Sequence, residues 1–199
     1  MGHRRRAALP APGAARHHAV NLEERALLWI EPYWNAEHLV RTRDWLLELE
    51  PEAGEALRLA ALTHDIERHF PGGPKQDLAF WPAEEEDYRR LHAERSARIV
   101  GEWLRAEGAG DELAAEVERL IRAHETGGRR DEDLLQAVDS LSFLETNASV
   151  VAGWYTSGRC SRERAKAQQR WMFERIKDER ARELARPLYE EAIATADRA

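Results

Sequence analysis

The sequence has almost no cysteine: Cys160 is the single one among 199 residues. An intramolecular disulfide is therefore impossible, and such scarcity is typical of proteins from a reducing cytosol. No apolar run approaches the roughly 20 residues that cross a bilayer. The basic start, His3 followed by three arginines, is not followed by the apolar core of a signal peptide. We therefore expect a cytoplasmic protein that does not enter a membrane.

The sequence also lacks the apolar–polar alternation of a half-buried strand and has no internal repeat. Charged residues make up 34% of the chain, and they accompany many alanines and leucines, a mixture that favours helix. A hydrophobic share of 43% is ordinary for a globular protein of one domain. The net charge of −7 argues against nucleic acid as a partner.

Capping residues and helix breakers divide the chain into about eight helices in a single all-α domain at 19–199. A disordered arm is predicted at 1–18, rich in proline, glycine and arginine. Asn21, with glutamates after it, predicts the start of the first helix. Further helices are predicted at 35–49, 52–66, 84–107, 111–124, 131–147, 161–176 and 178–196, the last bent or interrupted at Pro187. Loops are predicted at 71–83 and 153–160.

Histidines and aspartates recur near the ends of these helices or within their apolar segments. Imidazole nitrogens suit first-row transition metals, and carboxylates supply negative charge and can bridge two ions. Facing helices of a bundle can bring such side chains together in the core. The candidate ligands, in chain order, are His38, His64, Asp65, His92, His124 and Asp139.

The order and context of these residues resemble the HD-domain superfamily of metal-dependent phosphohydrolases. The segments that carry the resemblance are LRLAALTHDIER, LIRAHETGG and AVDSLSFLETN, and the similarity covers roughly residues 21–150. The sequence is also similar to an HD-type family of unknown function. The resemblance implies an HD-type helical bundle, with the metal site in its first 150 residues and additional helices at 161–196.

By the same resemblance, the basic ligand quartet would be His38, His64, Asp65 and Asp139, with Asp65 as the bridge. Two further histidines, His92 and His124, would bind a second ion. The implied cofactor is one or two divalent transition-metal ions per chain, with Fe, Mn, Ni, Zn and Mg all left open.

Two residues next to the His-Asp pair depart from the superfamily pattern. Members often have Gly-Lys at the positions of Glu67 and Arg68, and the lysine contacts substrate phosphate. We expect Arg68 to take that role, because a guanidinium binds phosphate oxygens in a fork. The catalytic candidates are therefore Asp65, Glu67 and Arg68.

Three other basic residues are candidate substrate contacts. Arg129 follows Gly127-Gly128 just after His124, and Lys75 lies in the loop at 71–83. Arg41 lies one turn after His38 on the same helix face. Each of the three could equally be a solvated side chain or an ion-pair partner. Trp34 and Trp81 flank the motif and could stack on a ring of the substrate, or belong to the core.

The resemblance implies a phosphohydrolase in which metal-activated water attacks a phosphoester or phosphoanhydride of a small molecule, with nucleotides among the candidate substrates. Two alternatives stay open. One is a di-iron HD-type oxygenase that uses dioxygen to cleave C–C or C–P bonds. The other is a non-catalytic HD domain that binds a nucleotide or a protein partner. The segment 151–199 would pack against the bundle or serve a partner or a dimer, so a homo-oligomer is also open.

Overall fold

Nine α-helices and two short 3₁₀ turns form the regular structure of residues 21–199, the part of the chain that the computed structural model describes. The arm predicted at 1–18 lies outside these residues. The all-α prediction is confirmed. The helices are α1 Leu22–Ile30, α2 Ala36–Leu49, α3 Glu55–Thr63, α4 Glu86–Ala106, α5 Asp111–Ala123, α6 Arg130–Thr146, α7 Ala148–Thr156, α8 Arg162–Glu174 and α9 Glu179–Arg198, with 3₁₀ turns at Ile66–His69 and Pro82–Glu84.

Local chemistry explains several helix boundaries. Asn21 caps α1, its side chain accepting from the Glu24 amide at 2.9 Å, while Glu24 accepts from the Asn21 amide at 3.0 Å. This reciprocal pair is a capping box. Ser161 caps α8 in the same position, as predicted. Gly108 follows α4 with φ of +84°, a conformation that favours glycine.

One prediction about the C-terminal helices is wrong, and a second holds only in part of its range. The predicted loop at 153–160 begins with a helix, since α7 continues to Thr156 and the chain turns only at Gly158. A glycine inside a helix costs about 1 kcal/mol relative to alanine, and α7 tolerates Gly153 because Val151 and Ala152 before it are buried. Of the bend or interruption predicted at Pro187, the interruption does not occur, because α9 continues through the proline and buries alanines on both sides of it.

Helix α6 is the central element of the bundle. It contacts α2, α3 and α5 as well as α7, α8 and α9. Leu135 and Val138 of α6 belong to an apolar cluster shared with α1–α5, whereas Ala137 and Leu141 belong to a second cluster shared with α8 and α9. The C-terminal helices therefore pack against the bundle. Within residues 21–199, no helix is both long enough and apolar enough to cross a membrane.

Candidate metal centre

The six predicted ligands meet at one place in the bundle, and all of them are buried. His38 lies in the first turn of α2, His92 near the start of α4 and Asp139 in the middle of α6. His64 and His124 are the residues at which α3 and α5 end. Five helices therefore supply the cluster, and two of them, α3 and α5, supply it from their C-terminal ends.

The side chains of the cluster are close enough to share an ion. The Nε2 atoms of His38 and His64 lie 3.1 and 3.3 Å from Asp139 Oδ1. Neighbouring ligands about 2.1 Å from one ion are expected about 3.0–3.4 Å apart. The Nε2 atom of His92 lies 2.9 Å from Asp65 Oδ1. The rings of His64 and His124 are 5.0 Å apart between centroids.

Backbone carbonyl groups set the tautomer of two of the histidines. His64 Nδ1 lies 3.1 Å from the Ala61 oxygen, and His124 Nδ1 lies 2.7 Å from the Ile121 oxygen. A carbonyl oxygen only accepts, so Nδ1 carries the hydrogen in both rings. The neutral ring then has a lone pair on Nε2, which is the atom that faces the cluster.

Side chains set the tautomer of the other two. The Ser142 hydroxyl donates to the His38 carbonyl oxygen at 2.7 Å, so it accepts from His38 Nδ1 at 2.9 Å. Glu67 Oε1 accepts from His92 Nδ1 at 2.9 Å. In its neutral form, each of the four rings therefore presents Nε2 as a ligand atom and is held in orientation by a partner on the opposite nitrogen.

Two buried nitrogen atoms indicate that the cluster fits a metal ion. His64 Nε2 and His92 Nε2 are enclosed and have no hydrogen-bond partner among residues 21–199. Unpartnered buried polar atoms are unfavourable and rare, and coordination would satisfy both of these. Three groups could each hold an ion: His38, His64 and Asp139; His64, Asp65 and His124; His92, His124 and Glu125.

Glu125 is a candidate ligand that the sequence analysis missed. It follows His124 at the end of α5, just as Asp65 follows His64 at the end of α3. This repeated histidine–carboxylate pair at a helix end could have identified it. Glu125 Oε1 lies 3.7 Å from His124 Nε2, and Oε2 accepts from Arg175 at 2.7 Å.

The buried aspartates keep their negative charge because arginines lie beside them. Burial alone would raise the pKa of Asp139, but Arg175 and the nearby histidines hold that pKa well below its ordinary value. Burial also raises the pKa of Asp65, but Arg68 and His92 outweigh burial and lower this pKa below its ordinary value. Both groups are carboxylates near neutral pH, which is the form that binds a cation.

The pKa of His124 is shifted in the opposite direction from those of His64 and His92. Burial lowers the pKa of His124 to about 4, so this ring is neutral at pH 7. Burial also lowers the pKa of His64, but Asp139 outweighs it and raises that pKa above normal. Burial and Arg68 lower the pKa of His92, but Asp65 and Glu67 outweigh them and raise it above normal. A cation bound at those two rings would displace a proton.

A cavity of about 330 Å³ adjoins the cluster. The candidate ligands that line it are His38, Asp65, His124, Glu125 and Asp139. Its walls combine the aromatic side chains of Trp34, Phe143, Trp154 and Trp171 with the guanidinium groups of Arg68, Arg89, Arg159 and Arg175. Apolar walls with a few convergent charged groups are typical of small-molecule sites, and the arginines favour an anionic ligand.

Of the predicted catalytic residues, Asp65 and Arg68 line the cavity and Glu67 does not. The Arg68 guanidinium donates to Asp65 Oδ2 through Nη1 and to the Tyr88 hydroxyl through Nη2, at 2.9 Å in the second case. Glu67 is 1% exposed and lies between His92 and Arg95. Its contact with His92 Nδ1 suits Glu67 to orienting that ring, and its catalytic role stays a prediction.

The three predicted substrate contacts do not line the cavity. Lys75 and Arg129 are exposed elsewhere. The Arg41 guanidinium is held by both carboxylate oxygens of Glu145, at 2.9 and 3.0 Å. The structure therefore does not support them as contacts of a ligand in this cavity. The cavity is lined instead by Arg89, Arg159 and Arg175, and no local sequence motif identifies these residues as cavity-lining. Trp34 lines the cavity, whereas Trp81 lines a neighbouring one.

Residues 30–157 match a protein family described as a domain of unknown function, DUF4202. The chain belongs to this family. No curated protein and no solved structure matches the sequence. The DUF4202 segment contains all six predicted ligands and Glu125, but it ends before α8. Arg159, Trp171 and Arg175 of the cavity therefore lie beyond the DUF4202 match.

Proposed function

We propose that the protein is a metal-dependent phosphohydrolase of HD type that acts on a phosphoester or phosphoanhydride of a small molecule. One observation carries this proposal. Six residues, spread over the chain from His38 to Asp139, form one buried cluster that opens into an arginine-lined cavity. A nucleotide is a fitting substrate, because aromatic walls offer a surface for a base beside the guanidinium groups.

The residues of the chain have separable roles in this reaction. A divalent cation, when bound, would lower the pKa of a water molecule and offset charge on the phosphoryl oxygens. Arg68 has N–H groups beyond those used by Asp65 and Tyr88, and these can bind a phosphoryl oxygen. The depressed pKa of Asp65 makes it a weak base. We therefore assign Asp65 to orienting the attacking water rather than to removing its proton.

The proposal is tested by phosphate release and elemental analysis on protein purified without chelators. The substrates are nucleoside mono-, di- and triphosphates and simple phosphodiesters, supplied with Mn²⁺, Co²⁺, Ni²⁺, Zn²⁺ or Mg²⁺. We expect phosphate release that needs the metal, proceeds without dioxygen and is lost in the His64→Ala/Asp65→Ala variant. His69→Ala, which removes an exposed histidine outside the three metal-capable groups, is the matched control.

Two outcomes would overturn the proposal in favour of its alternatives. Bound iron, with turnover of a substrate only in the presence of dioxygen, would establish the oxygenase. Binding of a nucleotide in the cavity without turnover of any phosphoester, whichever metal is loaded, would establish a non-catalytic domain. Both alternatives use the same buried ligands, so the choice between them and the hydrolase depends on these measurements.

A further inference from the structure

Each carboxylate of the cluster has one oxygen near the histidines and the other held by a guanidinium group. Asp139 shows this division most clearly. Its Oδ1 atom faces His38 and His64, and its Oδ2 atom accepts from Arg175 Nη2. Arg175 also donates through Nη1 to Glu125 Oε2 at 2.7 Å. One arginine therefore occupies the outer oxygens of two candidate ligands.

Asp65 has the same arrangement with a different arginine. Its Oδ1 atom lies 2.9 Å from His92 Nε2. Its Oδ2 atom accepts from Arg68 and, at 3.1 Å, from the Tyr33 hydroxyl. A carboxylate that bridges two ions through both of its oxygens needs both oxygens available. In this structure neither Asp65 nor Asp139 offers a second available oxygen.

Arg175 is fixed in this position by groups other than the carboxylates. Its Nε atom donates to the Ser140 hydroxyl at 2.8 Å, and its guanidinium lies over the Trp171 ring at 4.6 Å. The side chain is 7% exposed. Several contacts therefore determine the guanidinium position together, and the pairing with Asp139 and Glu125 is not an incidental surface contact.

Charge leads to the same conclusion as geometry. The cluster contains three carboxylates, those of Asp65, Glu125 and Asp139, and they contact two guanidinium groups. With neutral histidines, one divalent ion would leave the cluster one positive charge in excess, and two would leave three. Uncompensated charge is strongly unfavourable in a buried site. Arg175 is buried with the carboxylates, whereas the Arg68 side chain is 33% exposed, so the limit that charge sets comes mainly from Arg175.

We propose that this centre binds one divalent ion, at His38, His64 and Asp139. Arg68 and Arg175 bind the carboxylate oxygens that a second ion would need and supply positive charge in its place. This inference rests on the proposed metal site and departs from the two-ion centre that the six-ligand pattern implies. It also gives a role to residues beyond the family match, because Arg175 lies at the end of α8.

The stoichiometry of Mn²⁺ tests the inference directly. Full-length protein is stripped with a chelator, titrated with Mn²⁺ by calorimetry and examined by electron paramagnetic resonance. We expect one Mn²⁺ per chain, with the spectrum of an isolated ion. Two ions about 3.5–4 Å apart would instead give an exchange-coupled spectrum. The His64→Ala/Asp65→Ala variant measures binding outside the cluster.

Substitution of Arg175 tests whether this residue limits the centre to one ion. In Arg175→Met, the outer oxygens of Asp139 and Glu125 become available and one positive charge is lost, so we expect a second Mn²⁺ to bind. Arg175→Lys keeps the charge and should stay at one ion. Arg182→Met is the matched control, since Arg182 lies over the Phe173 ring and makes no contact with the cluster. Arg68→Met, which leaves Asp65 Oδ2 with the Tyr33 hydroxyl as its remaining partner, should also admit a second ion.

The outcomes separate this inference from the proposed function. Two coupled ions in the wild type would overturn the inference and leave the metal site intact. No specific ion in the wild type or in any variant would overturn the metal site itself. One ion in the wild type and still one in folded Arg175→Met would remove the role of Arg175. If Arg175→Met does not fold, the wild-type stoichiometry and Arg68→Met decide.

Discussion

Glu67 does not line the cavity, but its carboxylate contacts one of the buried histidines of the candidate centre. It accepts from His92 Nδ1 at 2.9 Å and pairs with Arg95 at 2.5 Å. Such a partner fixes the ring orientation and makes the opposite nitrogen a better ligand. The sequence could identify Glu67 as unusual next to the His-Asp pair, but only the fold shows which ring it holds.

Substitution of Glu67 therefore tests whether the bound ion uses His92. If the single ion lies at His38, His64 and Asp139, Glu67→Gln should leave the affinity for Mn²⁺ nearly unchanged. A fall of about 10- to 100-fold, the range typical when the partner of a ligating histidine is removed, would place His92 among the ligands. Competition with a fluorescent chelator measures the affinity. Glu86→Gln, at an exposed position in the first turn of α4, is the control. Equal affinities in the wild type and Glu67→Gln would show that His92 does not act as a ligand.

The depressed pKa of Asp139 predicts how its contribution to stability varies with pH. A folded pKa below the ordinary value of 3.8 means that this stability is present above about pH 4 and is lost as the pH falls through the folded value. Asp139→Asn should lower the free energy of unfolding of metal-free protein by about 3–5 kcal/mol at pH 7, because Arg175 loses a buried partner.

The difference between wild type and Asp139→Asn should then shrink below pH 4, where the Asp139 carboxylate of the unfolded chain takes up a proton while that of the folded chain is still charged. Urea unfolding at pH 7, 5, 4 and 3, with chelator present, measures the difference in free energy of unfolding between the two proteins. The same difference at pH 3 as at pH 7 would mean that the carboxylate charge does not account for the loss.

Helix α8 joins the C-terminal segment to the candidate site through a second buried ion pair. Arg164 and Glu85 lie 3.1 Å apart, and each side chain is 5% exposed. Arg164 also donates to the Phe80 carbonyl oxygen at 2.5 Å. These contacts fix α8 against the segment between the His-Asp motif and α4, and Trp171 and Arg175 are thereby held at the cavity.

Removal of Arg164 should leave Glu85 buried without its charged partner. We expect Arg164→Met to lower the free energy of unfolding by about 3–5 kcal/mol, and Arg164→Met/Glu85→Gln to recover part of the loss. Arg98→Met removes an exposed pair with Glu102 and should change stability by about 0–1 kcal/mol. Chemical denaturation measures all three. A loss no larger in Arg164→Met than in Arg98→Met would show that the pair does not hold α8.

The parts of the fold that could be predicted are those determined by interactions between residues close together in the sequence. Asn21 and Ser161 predict the starts of α1 and α8 correctly because a capping bond joins residues three apart. Helix α7 was missed because Gly153 and Gly158 suggest a loop, whereas burial of Val151 against the bundle decides the conformation. Arg175 could not be found at all, since its partner Asp139 lies 36 residues away on another helix.

The protein carries a net charge of −7, yet the cavity beside its candidate centre is lined by four arginines. Three of these guanidinium groups have partners, as Arg68 and Arg175 contact carboxylates and Arg89 donates to the Pro82 carbonyl oxygen. Arg159 is exposed, and its side chain forms no hydrogen bond or ion pair with any residue from 21 to 199. Arg159 is therefore the guanidinium most available to an arriving anion.

Arg159 should contribute to substrate binding more than to the chemical step. In Arg159→Ala we expect KM for a phosphorylated substrate to rise by about tenfold with kcat unchanged, the result of removing an interaction present equally in the ground and transition states. Steady-state kinetics at low and high salt measures this, and the salt dependence of kcat/KM should weaken. Arg129→Ala is the control outside the cavity. A fall in kcat with constant KM would place Arg159 at the reacting phosphoryl group instead.

The position of Arg175 in the chain has a consequence for the order in which the centre is completed during synthesis. When the first 150 residues have left the ribosome, all six predicted ligands are already present, but the arginine that occupies the outer oxygens of Asp139 and Glu125 is not. Until α8 docks, those carboxylates are without the cation that later neutralises them. If Arg175 limits the centre to one ion, a nascent chain that meets metal ions at this stage would bind more of them than the finished protein, and docking of α8 would set the final number of ions.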